Sequence, residues 1–189
     1  MRRLTVFNQV SLDGSFVDAH GDMSWAHQGN KDAQWQSFVE GNAKRGGVLL
    51  FGRITYELMA GYWPTPSATR DNPVVAERMN SLPKVVFSKT LDQVSWNNTK
   101  LVKGDLAAEV RKMKREPGPD MVIMGSGTIV SQLTQARLID EYQVVVIPIV
   151  LGQGRTMFEG MKESLPLKLT KTRAFGNGNV WLCYELRAS

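Results

Sequence analysis

Groups suited to holding an anion recur along this sequence. Gly52, Arg53, Ile54 and Thr55 follow directly on the apolar run 48–51 and lead into a helix-compatible stretch. Glycine permits close backbone approach. A helix start presents unpaired N–H groups and the positive end of its dipole, and arginine adds a forked cation. Together these suit a phosphate. The arrangement repeats where residues 121–124 run into Gly125, Ser126, Gly127 and Thr128, and where residues 84–87 run into Ser88 and Lys89. Three such strand ends at one sheet edge point to a ligand with several phosphates, such as a dinucleotide. Each also has a plainer reading. Gly52-Arg53 is compatible with a tight turn and a solvated arginine. Residues 125–128 suit close helix–sheet packing, because the third glycine of the dinucleotide fingerprint is missing.

The elements that must position these groups follow from periodicity. Residues 4–10 alternate as a strand does, up to the turn dipeptide Asp13-Gly14. A polar segment from 18 to 31 holds Trp25, His20 and His27. Residues 32–44 form an amphipathic helix with Asp32 as its cap and Trp35, Phe38 and Val39 inward. The pattern continues with a strand at 48–51, a helix at 54–61, a loop at 63–73 and a helix at 74–81. Next come a strand at 85–87, a weaker one at 100–102, a helix at 106–115, a strand at 121–124 and a helix at 129–135. A β-forming run follows at 142–151, then two strands between 167 and 186 around a Gly-Asn-Gly-Asn turn. Strand and helix alternate at first and the remainder is largely β, which predicts an α/β fold with a mostly parallel central sheet, an antiparallel C-terminal edge and helices on both faces.

Composition narrows the class. The 189 residues suit one domain spanning 1–189, and 42% hydrophobic content suits a buried core. No apolar run reaches the roughly 18 residues of a membrane span. One cysteine and an N-terminal segment without an apolar signal core suit a reducing cytoplasm. Two histidines and one cysteine leave no expected metal site. The net charge of +5 is dispersed along the chain, without the aromatic–basic interleaving of a nucleic-acid surface.

With these residues in view, the sequence resembles the dihydrofolate reductase-like superfamily, and more closely the reductase domain of bifunctional riboflavin-biosynthesis deaminase-reductases with its stand-alone relatives. The segments that carry the resemblance are Ser11-Leu12-Asp13-Gly14, Gly52-Arg53-Ile54-Thr55, Gly125-Ser126-Gly127-Thr128 and Leu138-Ile139-Asp140-Glu141, then Pro148-Ile149-Val150-Leu151-Gly152-Gln153-Gly154. The zinc-deaminase signature is absent from the sequence. The resemblance implies an NADPH-dependent reductase of a small heterocycle, with or without a phosphate. Its substrate would be like 5-amino-6-(5-phosphoribosylamino)uracil. By the same resemblance Gly52, Arg53, Ile54 and Thr55 hold cofactor phosphates, and Ser88 and Lys89 lie near the adenosine 2′-phosphate. Gly125, Ser126, Gly127 and Thr128 cradle the pyrophosphate. Asp13, a candidate catalytic residue, lies with Gly14 at the nicotinamide and substrate mouth; Trp25, Gln153 and Gly154 border the substrate. A homodimer is implied too. One departure stands out: where dihydrofolate reductases carry a carboxylate on the first helix, this chain has Gln34 and Gln36. A divergent dihydrofolate reductase and a nucleotide-binding module without catalysis are the alternatives.

Overall fold

The computed structural model describes residues 1–27 and 32–187, with the side chain of His27 outside that description. Ten strands and six α-helices follow in the order β1 (Leu4–Ser11), β2 (Ser15–Asp18), α1 (Ala33–Arg45), β3 (Val48–Gly52), α2 (Arg53–Tyr62), α3 (Pro66–Asp71), α4 (Pro73–Ser81), β4 (Lys84–Phe87), β5 (Thr99–Val102), α5 (Leu106–Arg115), β6 (Met121–Met124), α6 (Gly127–Gln135), β7 (Glu141–Ile147), β8 (Gly154–Thr156), β9 (Leu167–Ala174) and β10 (Val180–Leu186). Eight strands make one sheet ordered β5-β4-β3-β6-β1-β7-β10-β9, and β2 and β8 form a separate ribbon. Within the large sheet β10 alone runs against its neighbours.

The strand period of two sorts side chains between two layers. Leu4 and Val6 of β1, Leu50 of β3 and Met121 and Ile123 of β6 are all 0% exposed, and they pack with Val110 of α5 and Val130 and Leu133 of α6. The intervening residues face the other helices. Leu49 and Phe51 join Tyr56 of α2 and Met79 of α4, while Val145, Trp181 and Cys183 join Trp35 of α1. Helices therefore lie on both faces of a mostly parallel sheet. Burial, first, and Glu141 push the Cys183 thiol up to about 12, so it sits as a small apolar group rather than a thiolate.

Three elements differ from the sequence reading. Within the expected loop 63–73, the Thr65 side chain accepts from Ala68 N–H and Pro66 opens the short helix α3. The run 142–151 stops as a strand at Ile147, just before Pro148, because proline has no N–H for the ladder. The ribbon β2–β8 joins residues far apart in sequence, and neither strand carries a periodic signal of its own. Among the described residues, no helix is long and apolar enough to cross a membrane.

Two polar groups secure the edge of the sheet where the parallel strands begin. Asp140 pairs with Lys114 of α5 and accepts the Leu4 N–H at 2.7 Å, joining β1 to the α5 layer. Lys84 is 1% exposed and donates to the carbonyls of Asn80, Leu82 and Asn97 at 3.2, 2.7 and 3.0 Å, below the Trp96 ring. Burial lowers its ammonium to about 8, and the three carbonyls hold it charged at neutral pH.

Candidate active site

At the opposite edge, the C-terminal ends of β1, β3, β4 and β6 release their backbones from the sheet. Every released group needs a new partner. Beyond Met124 the chain turns at Gly125 with φ +59 and Ser126 with φ 59, both left-handed. Asn8 of β1 supplies the rung that β6 no longer makes: its side-chain oxygen accepts from Gly125 N–H, and its Nδ2 donates to Gly125 O at 3.0 Å. A carboxamide can do both because it carries a donor and an acceptor, as a peptide group does. One strand over, Gly52 N–H donates to Ser126 Oγ at 2.9 Å and Ser126 N–H donates to Thr55 Oγ1 at 3.0 Å. Two segments 71 to 74 residues apart thus hold each other in place.

The glycines here are required by contact. A Cβ on Gly125 would lie 2.8 Å from Thr55 Cγ2, and one on Gly127 would lie 2.6 Å from the Phe16 ring. The close-packing reading of residues 125–128 is therefore realised in the structure. Neither α2 nor α6 has a side-chain cap or an acidic residue in its first turn, whereas Asp32 caps α1 and Asp105 caps α5. Both first turns therefore keep N–H groups and dipole for a ligand. Thr128 is exposed at the start of α6. Arg53 is half exposed and forms an i,i+4 pair with Glu57 at 3.2 Å. Ser88 and exposed Lys89 follow β4, the neighbour of β3; the Ser88 hydroxyl accepts Thr90 and Leu91 N–H and so shapes that turn.

A second pair of distant segments meets at the end of β1. Leu12 N–H donates to Ile149 O at 2.8 Å. The Asp13 carboxylate accepts Leu151 N–H at 3.1 Å and Gly152 N–H at 2.8 Å. The Ser11 hydroxyl, with those two N–H groups, holds the Asp13 carboxyl down to about 2. The stabilisation from these bonds is present above the ordinary value of 3.8 and is lost as pH falls through about 2. Gly14, φ +87, turns the chain into β2, and Gly154 of β8 lies directly against Val17 O. Gln153 shares an open hollow with Asp18, His20 and Gly152. Trp25 lies apart from that hollow, 6% exposed in the aromatic cluster beneath α1, with its indole N–H on Asp22 O.

Between the α1 cluster and the α2–α4 cluster, the centre of the sheet is thinly covered. Phe7 and Gln9 of β1 and Val122 and Met124 of β6 are only half buried, although their neighbours on the other face are fully buried. The helices close together at one end, where Arg78 of α4 donates to Ala43 O of α1, so the cleft opens toward the strand ends just described. On α1, the Asp32 carboxylate accepts Trp35 N–H at 2.7 Å as the helix cap.

The RibD C-terminal domain family matches residues 2–181. The chain belongs to this family. Among its relatives, the uncharacterized protein YyaP of Bacillus subtilis is 27% identical over 184 residues, covering 97% of this chain and 95% of YyaP. A Shewanella sp. PV-4 protein named for riboflavin biosynthesis superposes with a TM-score of 0.75 at 23% identity, covering 98% of this RibD C-terminal domain and 99% of that chain. Dihydrofolate reductase from Enterococcus faecalis, solved with NADP(H), superposes with a TM-score of 0.63 at 14% identity over 98% of this chain and 97% of its own. The fold is dihydrofolate reductase-like, and the family assignment makes this a reductase-like domain.

Set against the family's segments, the RibD C-terminal domain divides them by task. Leu138, Ile139, Asp140 and Glu141 lie at the far edge, with Ile139 1% exposed and Asp140 bonded to Lys114, and they hold the sheet together. The other segments converge at the strand ends. Asn8, Phe16 and Met157 were not among the candidates from sequence, yet Asn8 touches both Gly125 and Met157, and Phe16 covers Gly127. Asn8 carried a readable signal: a polar residue in the buried register of an alternating strand.

Proposed function

We propose that this RibD C-terminal domain is an NADPH-dependent reductase of a small heterocycle, with 5-amino-6-(5-phosphoribosylamino)uracil as the leading acceptor. The carrying observation is the pair of helix starts, α2 and α6, uncapped by side chains and bonded to each other through Gly52, Thr55 and Ser126. Two open N-termini on neighbouring strands, with Arg53 and Lys89 nearby and no acid in either first turn, fit a cofactor rich in phosphate. When bound, NADPH supplies a hydride to an electron-poor ring, so the protein needs no nucleophile.

The residues of the chain then bind, orient and exclude water. Arg53 exchanges Glu57 for phosphate at small cost, because an exposed i,i+4 pair contributes only about 0.3–0.5 kcal/mol. The first turn of α6, entered from Gly125, Ser126, Gly127 and Thr128, faces the pyrophosphate, and Thr55 keeps that turn in position. Lys89, with Ser88 beside it, offers a point charge that favours the additional phosphate of NADP. The cleft between α1 and α2 receives the acceptor over Phe7 and Met124. Gly14, Gln153 and Gly154 form its outer rim, and Trp25 supports α1 from within.

Asp13 positions the two rim loops. At neutral pH it carries no proton to give, so the acceptor's proton comes from water or from the acceptor itself. An Asp13→Asn variant should turn over more slowly, while the shape of its pH–rate profile between pH 5 and 8 stays that of the wild type. A lost or displaced limb in that range would make Asp13 the titrating group instead.

Calorimetric titration tests the cofactor. NADPH should bind more tightly than NADH, and Arg53→Ala should weaken NADPH by about 1.5–3 kcal/mol, the loss expected for a charged hydrogen bond. Equal or absent binding of both nucleotides overturns the assignment. Oxidation of NADPH in the presence of the ribosylaminopyrimidine or of dihydrofolate then separates the two reductase readings. Binding without turnover on either would favour a nucleotide-binding module.

A further inference from the structure

A carboxamide in the cleft has no partner among the described residues. Side chains of β1 alternate between the two faces of the sheet, so Gln9 shares a face with Phe7, whose ring lies 6.5 Å from that of Phe38 on α1. Gln9 pairs in register with Val145 of β7, which is buried beneath α1. On the other side, the last rung between β1 and β6 joins Phe7 to Met124, so β6 has already ended at the level of Gln9. The side chain is half buried and makes no hydrogen bond to any described residue.

The neighbouring amides are engaged. Asn8 holds both polar groups of Gly125, and Gln143, in register with Phe7, donates to Glu141. Gln9 stands instead beside the apolar floor of Phe7, Val122 and Met124. An amide half withdrawn from water without a partner costs stability, and a β-branched aliphatic residue suits a central strand better. The Gln9 side chain therefore gives the fold nothing that a valine would not. Polar groups set singly among apolar ones are how a pocket fixes the orientation of a small molecule.

We propose that Gln9 reads the acceptor ring, pairing its carboxamide, donor to acceptor and acceptor to donor, with a lactam edge: an N–H beside a C=O, as a pyrimidinedione carries. The assignment rests on the reductase function proposed for the domain and names the acceptor class within it. A carboxamide presents one donor side and one acceptor side, which a lactam edge complements. A carboxylate would present acceptors only and would suit an amidine instead. The cofactor has its anchors elsewhere, at the starts of α2 and α6 and at Lys89. The acceptor lies over the floor, whose other members, Phe7, Val122 and Met124, supply no side-chain hydrogen bond to orient it.

Wild type and Gln9→Leu, each given 5-amino-6-(5-phosphoribosylamino)uracil and its N3-methyl derivative, test this by calorimetric titration without NADPH and by initial rates with it. In the wild type, methylation should weaken binding and lower kcat/KM by roughly 10- to 100-fold, the loss expected when a site built to bond a ring meets an analogue lacking the group. Gln9→Leu should impose a similar loss on the unmethylated ring and be indifferent to methylation, because the two changes remove the same contact. Its affinity for NADPH should stay within about twofold of wild type, and its melting temperature should equal or exceed that of wild type. A Gln9→Leu protein that still discriminates against the methylated ring, or that loses affinity for NADPH instead, overturns the assignment. A lower melting temperature with unchanged binding and rates makes Gln9 a structural residue and overturns it too. A wild type that binds NADPH but neither binds nor reduces the pyrimidine overturns the acceptor class alone, whereas one that binds no NADPH overturns the reductase function and the assignment with it.

Discussion

An Asn8→Leu variant is expected to be less stable than the wild type by roughly 2–5 kcal/mol, because it strands two buried backbone groups at about 1–3 kcal/mol each. The two groups are Gly125 N–H and Gly125 O, both satisfied by the Asn8 carboxamide within a site that is 3% exposed at Asn8. Leucine keeps the branched shape, is bulkier, and supplies neither bond. For a chain of this size the loss corresponds to a fall in melting temperature of about 5–20 °C. Urea or thermal unfolding followed by circular dichroism reads it directly. Asn8→Asp separates the two bonds. Aspartate keeps the acceptor for Gly125 N–H, loses the donor for Gly125 O and brings a buried charge, so it should be destabilised more strongly at pH 8 than at pH 5. An Asn8→Leu protein within 1 kcal/mol of wild type would mean that water or a shifted loop serves Gly125 equally well.

The second large effect is expected from Gly125→Ala. The left-handed φ of +59 alone costs an alanine about 1–2 kcal/mol. The new methyl would also stand 2.8 Å from Thr55 Cγ2 and 2.9 Å from Thr55 Oγ1, so α2 and the start of α6 must separate. Since Ser126 N–H is held by that same Thr55 hydroxyl, relief of the clash breaks the bond. Cofactor binding should therefore fall by about 10- to 100-fold, equivalent to about 1.4–2.8 kcal/mol, beyond any loss of stability. Thr55→Ala should cost about 1 kcal/mol for its hydrogen bond. Combined with Gly125→Ala it should cost less than the two changes added together, because the threonine methyl that clashes is gone. Strict additivity would show that the two residues do not meet in solution.

The strand-to-helix junction after β3 was legible in the sequence because its requirements are local. A buried apolar run, a glycine and a helix start occupy ten consecutive residues at 48–57, and each is visible in isolation. The helix cap at Asp32 and the inward aromatic residues of α1 were readable for the same reason. What fastens the site was not local. Nothing near Thr55 indicates that its hydroxyl will hold Ser126, and nothing near Asp13 indicates that its carboxylate will hold Leu151 and Gly152. The helix α3 could have been found, since Thr65 followed by Pro66 is a cap with proline at the first helical position. The ribbon β2–β8 could not, because three- and four-residue strands take their register from one another. Asp140 belonged to a recognisable segment, but its partner Lys114 is 26 residues away on helix α5, so its structural role emerged only from the packed sheet.

Strand β1 lies between β6 and β7, and it supplies Asn8 to one junction and Asp13, just beyond its end, to the other. Both neighbours come late in the chain: β1 meets β6 first at Met121 and β7 at Glu141. At about 5–20 residues per second, ribosomal synthesis leaves β1 without either sheet neighbour for on the order of ten seconds. During that interval Leu4, Val6 and Val10 have no sheet to enter, and an apolar strand with free edges is a template for aggregation. Dependence on chaperones during synthesis should therefore concentrate on the first dozen residues. Circular permutants that bring β1 next to β6 or β7 in sequence should fold faster than the natural order.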